Sequence, residues 1–373
     1  MSEFFIGLMS GTSLDGVDAV LARFPGPQGA ALEVLGHQHQ PFEPALRAEL
    51  LALNSPGENE AHRCALAGNG LARAYANLVQ RLLQQHQLPP GAVRALGAHG
   101  QTIRHRPGEF DGCGYTLQLL NGALLAELTG VDTVCDLRGR DVAAGGQGAP
   151  LVPAFHRALF GRSDAQVLVL NIGGISNISV LEREGQSLGY DCGPGNCLMD
   201  FWVQGHRGQA YDADGAWAAS GHVLPELLRR LLNEPFFARP APRSTGRDLF
   251  NPDWLAARLG GGAAQARPEE VQATLLELTA QSIADCLRPD AEAGAELLVC
   301  GGGALNGRLM QRLQALLPQQ RVLSSAARGL PPMQVEAAAF AWLAQRFVKR
   351  LPGNLPAVTG AAGPRVLGAL HPA

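Results

Sequence analysis

The sequence contains neither a long apolar run nor a basic tract, and both absences narrow the range of partners. Its 373 residues carry 30 Lys and Arg against 33 Asp and Glu, for a net charge of −3. This balance disfavours nucleic acid and anionic membranes as partners. No apolar stretch approaches the roughly 18 to 20 residues that span a bilayer, and Ser2 and Glu3 do not fit a signal peptide. We expect a cytoplasmic protein that binds a small molecule.

The few cysteines do not have the spacing of a disulfide framework. The seven cysteines are odd in number and irregularly spaced, with no Cys-x-x-Cys pair. A disulfide scaffold is therefore not expected, and we predict reduced thiols that are mostly buried. His99 and His105 lie close in sequence, but no Cys, Asp or Glu completes a tetrahedral set at the usual spacing. Zinc is therefore not predicted there.

The sequence also lacks the Gly-Lys-Ser/Thr ending of a Walker loop, yet it opens with a turn suited to phosphate. The turn is Gly11-Thr12-Ser13-Leu14-Asp15-Gly16-Val17-Asp18, and an apolar strand follows it instead of a helix. A P-loop is therefore disfavoured. Glycine permits positive φ and close approach of a ligand, so Gly11 and Gly16 are predicted to direct backbone N–H groups at phosphate oxygens. The hydroxyls of Thr12 and Ser13 add donors.

Two carboxylates in this turn predict a metal ion. Asp15 and Asp18 would repel phosphate directly, whereas Mg²⁺ takes hard oxygen ligands and keeps several of its waters. We expect both carboxylates to hold Mg²⁺ through water, next to a nucleotide triphosphate. The alternative is an ordinary Asp-Gly hairpin turn without a ligand.

Length and periodicity predict two α/β domains. A chain of 373 residues exceeds the size at which one hydrophobic core keeps growing. Strands alternate with helices, which indicates sheets covered on both faces. Beyond the first hairpin, we predict strands at 31–36, 95–103 and 131–136, and helices at 43–53, 60–86 and 117–129.

The second half of the sequence repeats the pattern of the first. Residues 166–181 again read as strand, glycine turn and strand, and an extended segment then ends at Asp191. A third glycine turn, 301–307, follows the apolar strand 296–300 and precedes a predicted helix at 308–317. The chain is therefore predicted to be duplicated.

Three glycine turns in this order are typical of the superfamily that contains sugar kinases, heat-shock chaperones and actin. On this interpretation every residue of the first turn contacts the nucleotide, with the turn holding its β- and γ-phosphates. The second turn is predicted to contact the other side of the phosphate chain through Gly173, Gly174 and Ser176. The third is predicted to lie along the nucleoside through Gly301, Gly302, Gly303 and Asn306.

Seven short motifs resemble those of the bacterial 1,6-anhydro-N-acetylmuramic acid kinases. They cover residues 11–18, 99–103, 145–153, 171–177, 191–196, 244–248 and 354–361. The visible departure is Cys192, where this family is expected to have a small hydroxyl residue such as threonine. We expect the change to be tolerated, because Asp191 and the neighbouring glycines are intact.

The resemblance implies a fold. It is a two-lobed actin-like ATPase, a duplicated ribonuclease H-like α/β fold with the active site in an interlobe cleft. We place the N-terminal lobe at 1–130 and the C-terminal lobe at 131–373. As an alternative, the C-terminal end rejoins the first lobe.

The resemblance also implies a reaction. Members of this family use ATP and water to open the bridge of 1,6-anhydro-N-acetylmuramic acid, which gives N-acetylmuramic acid 6-phosphate and ADP in peptidoglycan recycling. An inverting glycosidase needs a base and an acid, whereas here the γ-phosphorus captures the departing O6, so one carboxylate suffices. The family's catalytic aspartate aligns with Asp191. The alternative for an Asp before a Gly-Pro turn is a structural cap.

The lactyl carboxylate of that substrate calls for hydrogen-bond donors. Arginine forks suit carboxylates, and Arg138 and Arg140 are the nearest candidates, with an exposed Arg–Asp cluster as the alternative. His99, Gln101 and Thr102 are predicted to add hydrogen bonds to the sugar or phosphate.

Glu336 opens an alanine-rich segment after two prolines. A carboxylate is favoured electrostatically at a helix N-terminus, and this is one interpretation. The other is a further ligand to the water shell of Mg²⁺.

Two other functions stay open at this stage. One is a different sugar kinase or phosphatase of the superfamily, and the other is an actin-like or chaperone-like protein that uses ATP as a switch. A homodimer is one alternative for the oligomeric state.

Overall fold

The apolar segments on either side of the first glycine turn form an antiparallel hairpin, as predicted. In the computed structural model they are β1 (Phe4–Met9) and β2 (Gly16–Arg23). The structure describes residues 3–11, 13–25, 31–185, 187–241, 243–246, 248–260, 266–289 and 291–373. The chain forms a first unit from Met1–Leu159 with Gln334–Ala373, and a second unit from Phe160–Met333.

The first unit is built on a mixed sheet. Its other strands are β3 (Glu33–Pro41), β4 (Val93–Ala98), β7 (Thr133–Cys135) and β13 (Ala369–His371), while β5 (Gln101–Pro107) and β6 (Gly114–Leu119) form a separate pair. The strand order is β13-β7-β4-β1-β2-β3. β1, β2 and β3 are successive antiparallel neighbours, whereas β4 runs parallel to β1 and β7 runs parallel to β4.

The helices of this unit are α1 (Pro44–Ala52), α2 (Glu60–Gln85), α3 (Gly122–Thr129), α4 (Gly139–Val142), α5 (Val152–Phe160), α12 (Val335–Val348) and α13 (Pro356–Thr359). α2 buries Leu71, Leu78 and Leu82 at helical spacing in the core of the unit. This burial matches the apolar periodicity that predicts the helix.

The second unit has its own sheet and core. Its strands are β8 (Val167–Ile172), β9 (Ile175–Leu181), β10 (Ser187–Pro194), β11 (Glu296–Cys300) and β12 (Arg321–Ser324), in the order β10-β9-β8-β11-β12. Its helices are α6 (Cys197–Arg207), α7 (Ala216–Ala219), α8 (Pro225–Leu232), α9 (Pro252–Arg258), α10 (Pro268–Leu287) and α11 (Gly307–Leu316).

The two sheets repeat one topology. In each, three consecutive strands form an antiparallel meander, and two later strands add in parallel on the side of the first strand. The first sheet carries one strand more, β13, which pairs antiparallel with β7. The predicted α/β class and the predicted duplication are thereby confirmed. No helix among the described residues has both the length and the apolar character needed to cross a bilayer.

Two glycines let α12 lie directly on the first sheet. A Cβ on Gly7 of β1 would lie 1.8 Å from the carbonyl oxygen of Ala337, and one on Gly97 of β4 would lie 2.0 Å from that of Phe340. Only glycine permits such an approach of a helix backbone to a strand. The approach carries Glu336, near the start of α12, to the end of the sheet where Asp15 and Asp18 lie.

Three predicted boundaries differ from the structure. Segment 95–103 is two strands, because Gly100 turns the chain with φ of 75° between β4 and β5. The helix predicted from residue 117 begins at Gly122, because the side chain of Asn121 caps α3 and the preceding residues form β6. The expected domain boundary at residue 130 precedes β7, which pairs with β4 in the first unit.

Candidate functional site

The first glycine turn is closed by its own hydrogen bonds. Ser13 Oγ donates to Asp15 Oδ1 at 2.7 Å, and the N–H of Leu14 donates to the carbonyl of Gly11 at 3.2 Å. Positive φ occurs at Leu14 (55°) and not at Gly11 or Gly16. The expectation that these glycines supply positive φ is therefore wrong, and the turn places its unusual conformation on Leu14.

The two glycines differ in what surrounds them. A Cβ on Gly16 would lie 2.3 Å from the carbonyl oxygen of Gln40, so glycine here serves the contact between β2 and β3. Around Gly11 the nearest atom to such a Cβ is Ser13 Oγ at 3.6 Å, so this side of Gly11 is not crowded. Thr12 lies outside the described residues.

Leu14 and Val17 have only backbone groups to offer a ligand. Their side chains are buried in the core of the first unit. The hydrophobic residues of the turn therefore anchor it in that core.

The carboxylates of Asp15, Asp18 and Glu336 lie near enough to one another at this turn to interact electrostatically. Burial raises the pKa of Glu336 to about 6, the carboxylates of Asp18 and Asp15 add to the rise, and the charge of Arg138 opposes it. Repulsion of this kind is relieved by a cation, and carboxylate oxygens are ligands that suit Mg²⁺. Among the described residues, no three His, Cys, Asp or Glu side chains are arranged to hold a metal. Since Mg²⁺ keeps several of its waters, these carboxylates could hold it without that arrangement.

Two histidines beside Asp18 were not predicted. Asp18 Oδ1 lies 2.7 Å from Nε2 of His37 and 3.3 Å from Nδ1 of His39. Asp18 pairs directly with His39 across β2 and β3. Alternate residues of a strand share a face, so the His-x-His spacing of β3 was the available signal.

His99 and Arg138 bind each other. Nδ1 of His99 donates to the carbonyl of Ser10 at 3.1 Å, while its Nε2 accepts from Nε and Nη2 of Arg138 at 3.1 and 3.0 Å. Burial, followed by the charge of Arg138, lowers the pKa of His99 to about 3, so the ring is neutral. Nη1 of Arg138 donates to the carbonyl of Gly148 at 2.8 Å. Most of the Arg138 fork is thus engaged within the protein.

The other predicted sugar-binding residues differ in their placement. Gln101 Nε2 donates to the carbonyl of Gly11 at 3.0 Å, and its buried Oε1 has no hydrogen-bond partner. Thr102 Oγ1 accepts from Gln118 at 3.1 Å. Arg140 is exposed and forms no ion pair within the described part of the chain. The structure therefore brings Gln101, His99 and Arg138 to the first turn, and does not bring Thr102 or Arg140 into that network.

Asp141 links two of the sequence motifs, 145–153 and 354–361. Its side chain is fully buried and accepts from the N–H of Gly148 at 2.8 Å, from Asn354 Nδ2 at 2.7 Å and from Thr359 Oγ1 at 2.8 Å. A buried carboxylate needs such donors. Asp141 was missed by the sequence analysis, although it stands one residue after Arg140.

In the second unit, Asp191 is held by the segment that follows α8. Its Oδ2 accepts from Ser244 Oγ at 3.1 Å and from the N–H of Thr245 at 2.9 Å. Burial raises the pKa of Asp191, while Thr245, Ser244 and the charge of Arg243 oppose the rise. The motif at 244–248 was recognised in the sequence, but its contact with Asp191 was not. Arg247 of this motif lies outside the described residues.

Cys192 lies in a bulge of β10 and points into the core. The register shifts between Asp191 and Gly193, and the Cys192 side chain is fully buried beside Cys286. The Cys192 thiol is therefore part of the core of the second unit. This explains how the departure from the family motif is accommodated.

The second glycine turn is bonded through its backbone to the segment that follows Asp191. The N–H of Asn196 donates to the carbonyl of Gly173 at 2.8 Å, and that of Gly195 to the carbonyl of Gly174 at 2.9 Å. The buried hydroxyl of Ser176 donates to the carbonyl of Gly193 at 3.1 Å. The Ser176 hydroxyl proton is thus used inside the unit.

The third turn requires glycine for backbone reasons. Gly301 has φ of 76°, and a Cβ on Gly303 would lie 2.3 Å from Ile172 Cγ2. Gly302 lies beside Asn196, since a Cβ there would be 3.5 Å from its Nδ2. Asn306 caps α11 by accepting from the N–H of Leu309 at 3.0 Å.

Known proteins resemble this chain over its full length. A model of the family described as anhydro-N-acetylmuramic acid kinase matches residues 3–373. A protein of that name from Variovorax paradoxus is 61% identical over 377 residues, covering 100% of this chain and 99% of its own. Another from Ralstonia nicotianae is 57% identical over 378 residues, covering 100% of this chain and 98% of its own.

Among solved structures, similarity is found to an activator of the 2-hydroxyisocaproyl-CoA dehydratase from Clostridium difficile with bound ADPNP. It covers 93% of this chain and 96% of that chain, with a TM-score of 0.46 and 11% identity.

Proposed function

Because the chain belongs to the anhydro-N-acetylmuramic acid kinase family, we propose that it uses ATP and water to open the bridge of 1,6-anhydro-N-acetylmuramic acid and phosphorylate O6. The products are N-acetylmuramic acid 6-phosphate and ADP, so the protein serves cell-wall recycling. The observation that carries the proposal is the anchored carboxylate of Asp191 in a chain that matches the family from end to end.

Asp191 acts as the general base. One of its oxygens is fixed by Ser244 and Thr245, which orients the carboxylate, and burial raises its pKa towards the operating range of a base. Asp191 accepts a proton from water as the water oxygen bonds to C1 and the C1–O6 bond breaks. The departing O6 bonds to the γ-phosphorus while the bond from that phosphorus to the β,γ-bridging oxygen breaks and ADP leaves, so O6 does not need a protein acid.

The first turn holds the phosphates. The uncrowded side of Gly11 admits a phosphate oxygen, and Gln101 holds the Gly11 carbonyl in place. Asp15, Asp18 and Glu336 hold Mg²⁺ through its waters. Bound ATP supplies the phosphoryl group, and Mg²⁺ neutralises its charge.

The sugar site draws on two arginines. Arg138 holds His99 and the carbonyl of Gly148 in place. Arg140 is exposed and has no ion pair in the described residues, and it binds the lactyl carboxylate. Thr102 stays a predicted sugar contact, as do the glycines of the second and third turns for the nucleotide. Consumption of ATP fits a cytoplasmic enzyme, and a homodimer stays a prediction.

The test is a reaction with ATP, Mg²⁺ and anhydro-N-acetylmuramic acid in ¹⁸O-labelled water. The product is reduced with borohydride at once, so that later exchange at C1 adds no label, and unlabelled product in the same water serves as the control. Bridge opening places one solvent oxygen on C1 and releases ADP. ADP release with an unlabelled sugar would indicate simple phosphorylation of a hydroxyl and would overturn the proposal.

A further inference from the structure

Three polar residues form a row across the second sheet, at the edge where its glycine turns begin. Asn171 of β8 pairs with Asn177 of β9, and Asn177 pairs with Asp191 of β10. Residues paired directly across neighbouring strands project from the same face of a sheet. Asn177 is therefore the cross-strand neighbour of Asp191 on that face.

This face lies opposite the main core of the unit. The adjacent row is Leu170, Ile178 and Tyr190, which are paired in the same way and are all buried in that core. Since successive residues of a strand alternate between faces, the polar row points away from the core. Its side chains are therefore not part of that core.

The row also contains hydrogen-bonding capacity that the protein does not use. Oδ1 of Asn171 is buried without a partner, and a Cβ on Gly301 would lie 2.4 Å from it. The Asn177 carboxamide makes no hydrogen bond with any residue in the described ranges, and the bonds of Asp191 go to Oδ2 alone. Buried polar atoms ordinarily have partners, so the unpartnered Oδ1 of Asn171 points to a bound molecule at this end of the row.

We propose that Asn177 is a positioning residue that holds the attacking water beside Asp191. Side chains of directly paired residues start from Cβ atoms about 4.5–5.5 Å apart, a separation that one water can bridge with two hydrogen bonds. One O–H of the water donates to Oδ1 of Asp191 and the other to Oδ1 of Asn177. This arrangement leaves a lone pair of the water free for C1.

The proposal rests on the proposed function and adds a second acceptor to it. The water proton bound by Asp191 passes to that carboxylate as the C–O bond forms, and the proton bound by Asn177 stays on the new hydroxyl. The C1–O6 electron pair goes to O6, which takes the phosphoryl group as the bond from the γ-phosphorus to the β,γ-bridging oxygen breaks and ADP leaves. Asp191 later releases its proton to solvent. Asn177 undergoes no net change.

The first test is Asn177→Ala. We expect kcat to fall about 10- to 100-fold, because the water loses one of its two acceptors, while KM for ATP and the melting temperature stay unchanged. Leu188→Ala is the matched control, since Leu188 is an exposed residue of β10 on the opposite face. A kcat for Asn177→Ala within twofold of the wild type overturns the inference.

A second variant tests the juxtaposition without removing the side chain. Asn177→Asp puts a like charge next to Asp191, so the acid limb of the pH profile of kcat/KM should move to higher pH. An acid limb at the wild-type position overturns the inference, because the two side chains would then not be neighbours. If the wild type incorporates no ¹⁸O, the proposed function fails. A labelled wild-type product with a fully active Asn177→Ala variant refutes the role of Asn177 alone.

Discussion

The carboxylate of Asp191 has two oxygens in different situations. Oδ2 accepts from Ser244 and Thr245, whereas Oδ1 has no partner in the described residues. Burial raises the pKa of Asp191, and the two donors and Arg243 limit the rise. The same neighbours therefore aim the base and set its proton affinity.

Replacing Asp191 by asparagine should abolish most turnover and spare nucleotide binding. The amide keeps the shape of the side chain but cannot accept a proton, and general-base catalysis contributes on the order of 10²- to 10⁴-fold. Steady-state ADP release and titration with an ATP analogue measure the two effects. Asp253→Asn, at an exposed site in α9, is the control and should retain full activity. An Asp191→Asn variant that is fully active would contradict the assignment.

Removing the hydroxyl of Ser244 should shift the pH dependence of the reaction. This hydroxyl stabilises the charged form of Asp191, so Ser244→Ala should raise the pKa of Asp191 further. Because a base must be deprotonated to act, the acid limb of kcat/KM should move to higher pH, and activity should recover at alkaline pH. Ser220→Ala, remote in sequence and exposed, should leave the profile unchanged. Equal profiles for Ser244→Ala and the wild type would refute the coupling.

Glu336 should lower the stability of the nucleotide-free protein at neutral pH. Its pKa of about 6 exceeds its ordinary value of 4.5, so the folded state holds a proton in this interval that the unfolded chain has lost. Stability therefore falls as pH rises through this window and does not recover above it. Glu336→Gln should be more stable than the wild type at pH 7 by about 1–2 kcal/mol, and nearly equal to it below about pH 4.

Urea unfolding at both pH values measures this difference. Glu58→Gln, at an exposed site, is the control and should match the wild type throughout. Added Mg²⁺ should stabilise the wild type more than Glu336→Gln, because the variant offers one carboxylate fewer to the water shell. The interpretation fails if Glu336→Gln is no more stable than the wild type at pH 7.

At the scale of elements, the contact between α12 and the first sheet sets the place of Glu336. Gly7 and Gly97 admit the helix backbone at distances that leave no room for a methyl group. The alanine-rich buried side of α12 matches this need, since Ala337, Ala341 and Ala344 are all buried. Small residues on both sides let the two elements approach.

Gly7→Ala and Gly97→Ala should each push α12 off the sheet. Overpacking of this kind costs about 1–3 kcal/mol or more, and activity should fall because Glu336 moves with the helix. Gly91→Ala is a matched control, since no atom lies within 4 Å of where its Cβ would be. Denaturant unfolding and ADP release measure both effects. Wild-type stability in Gly7→Ala would show that the helix can shift at little cost.

Elements whose signals are local were predicted well. The hairpin β1–β2, the long helix α2 and the strand β11 lie where turn chemistry and apolar period place them. The single strand predicted at 95–103 failed at Gly100, because a continuous run of strand-like residues does not show where one sheet ends and another pair begins. The predicted helix start at residue 117 was wrong, because the apolar residues of β6 fit both the helical and the strand period.

At the scale of the whole molecule, the first unit is closed by contacts between distant parts of the chain. Asp141 binds Asn354 and Thr359, and Thr359 lies 218 positions after Asp141 in the sequence. The C-terminal segment thus completes the unit that the N-terminal segment begins. The loop that carries Arg138 depends on this closure.

Thr359→Val should weaken the closure. The variant keeps the volume of the side chain but leaves the buried Asp141 one donor short, at a cost of about 1–3 kcal/mol. Activity at temperatures where the variant stays folded should change little, because Arg138 keeps its contacts with His99. Thr359→Ser retains the hydroxyl and should stay close to the wild type. Unfolding in urea measures the loss, and equal stability of the Val and Ser variants would contradict it.

The amino-acid sequence by itself determined the α/β class, the duplication, the first hairpin and the family, because periodicity, turn residues and short motifs are properties of neighbouring residues. It also singled out Asp191, Gln101, His99 and Arg138. Only the tertiary structure decided what these residues contact. Ser244 donates to Asp191, Arg138 donates to His99, and Asn177 pairs across the strands with Asp191. Such contacts follow from strand register and from the packing of distant segments, and no local pattern along the chain specifies either.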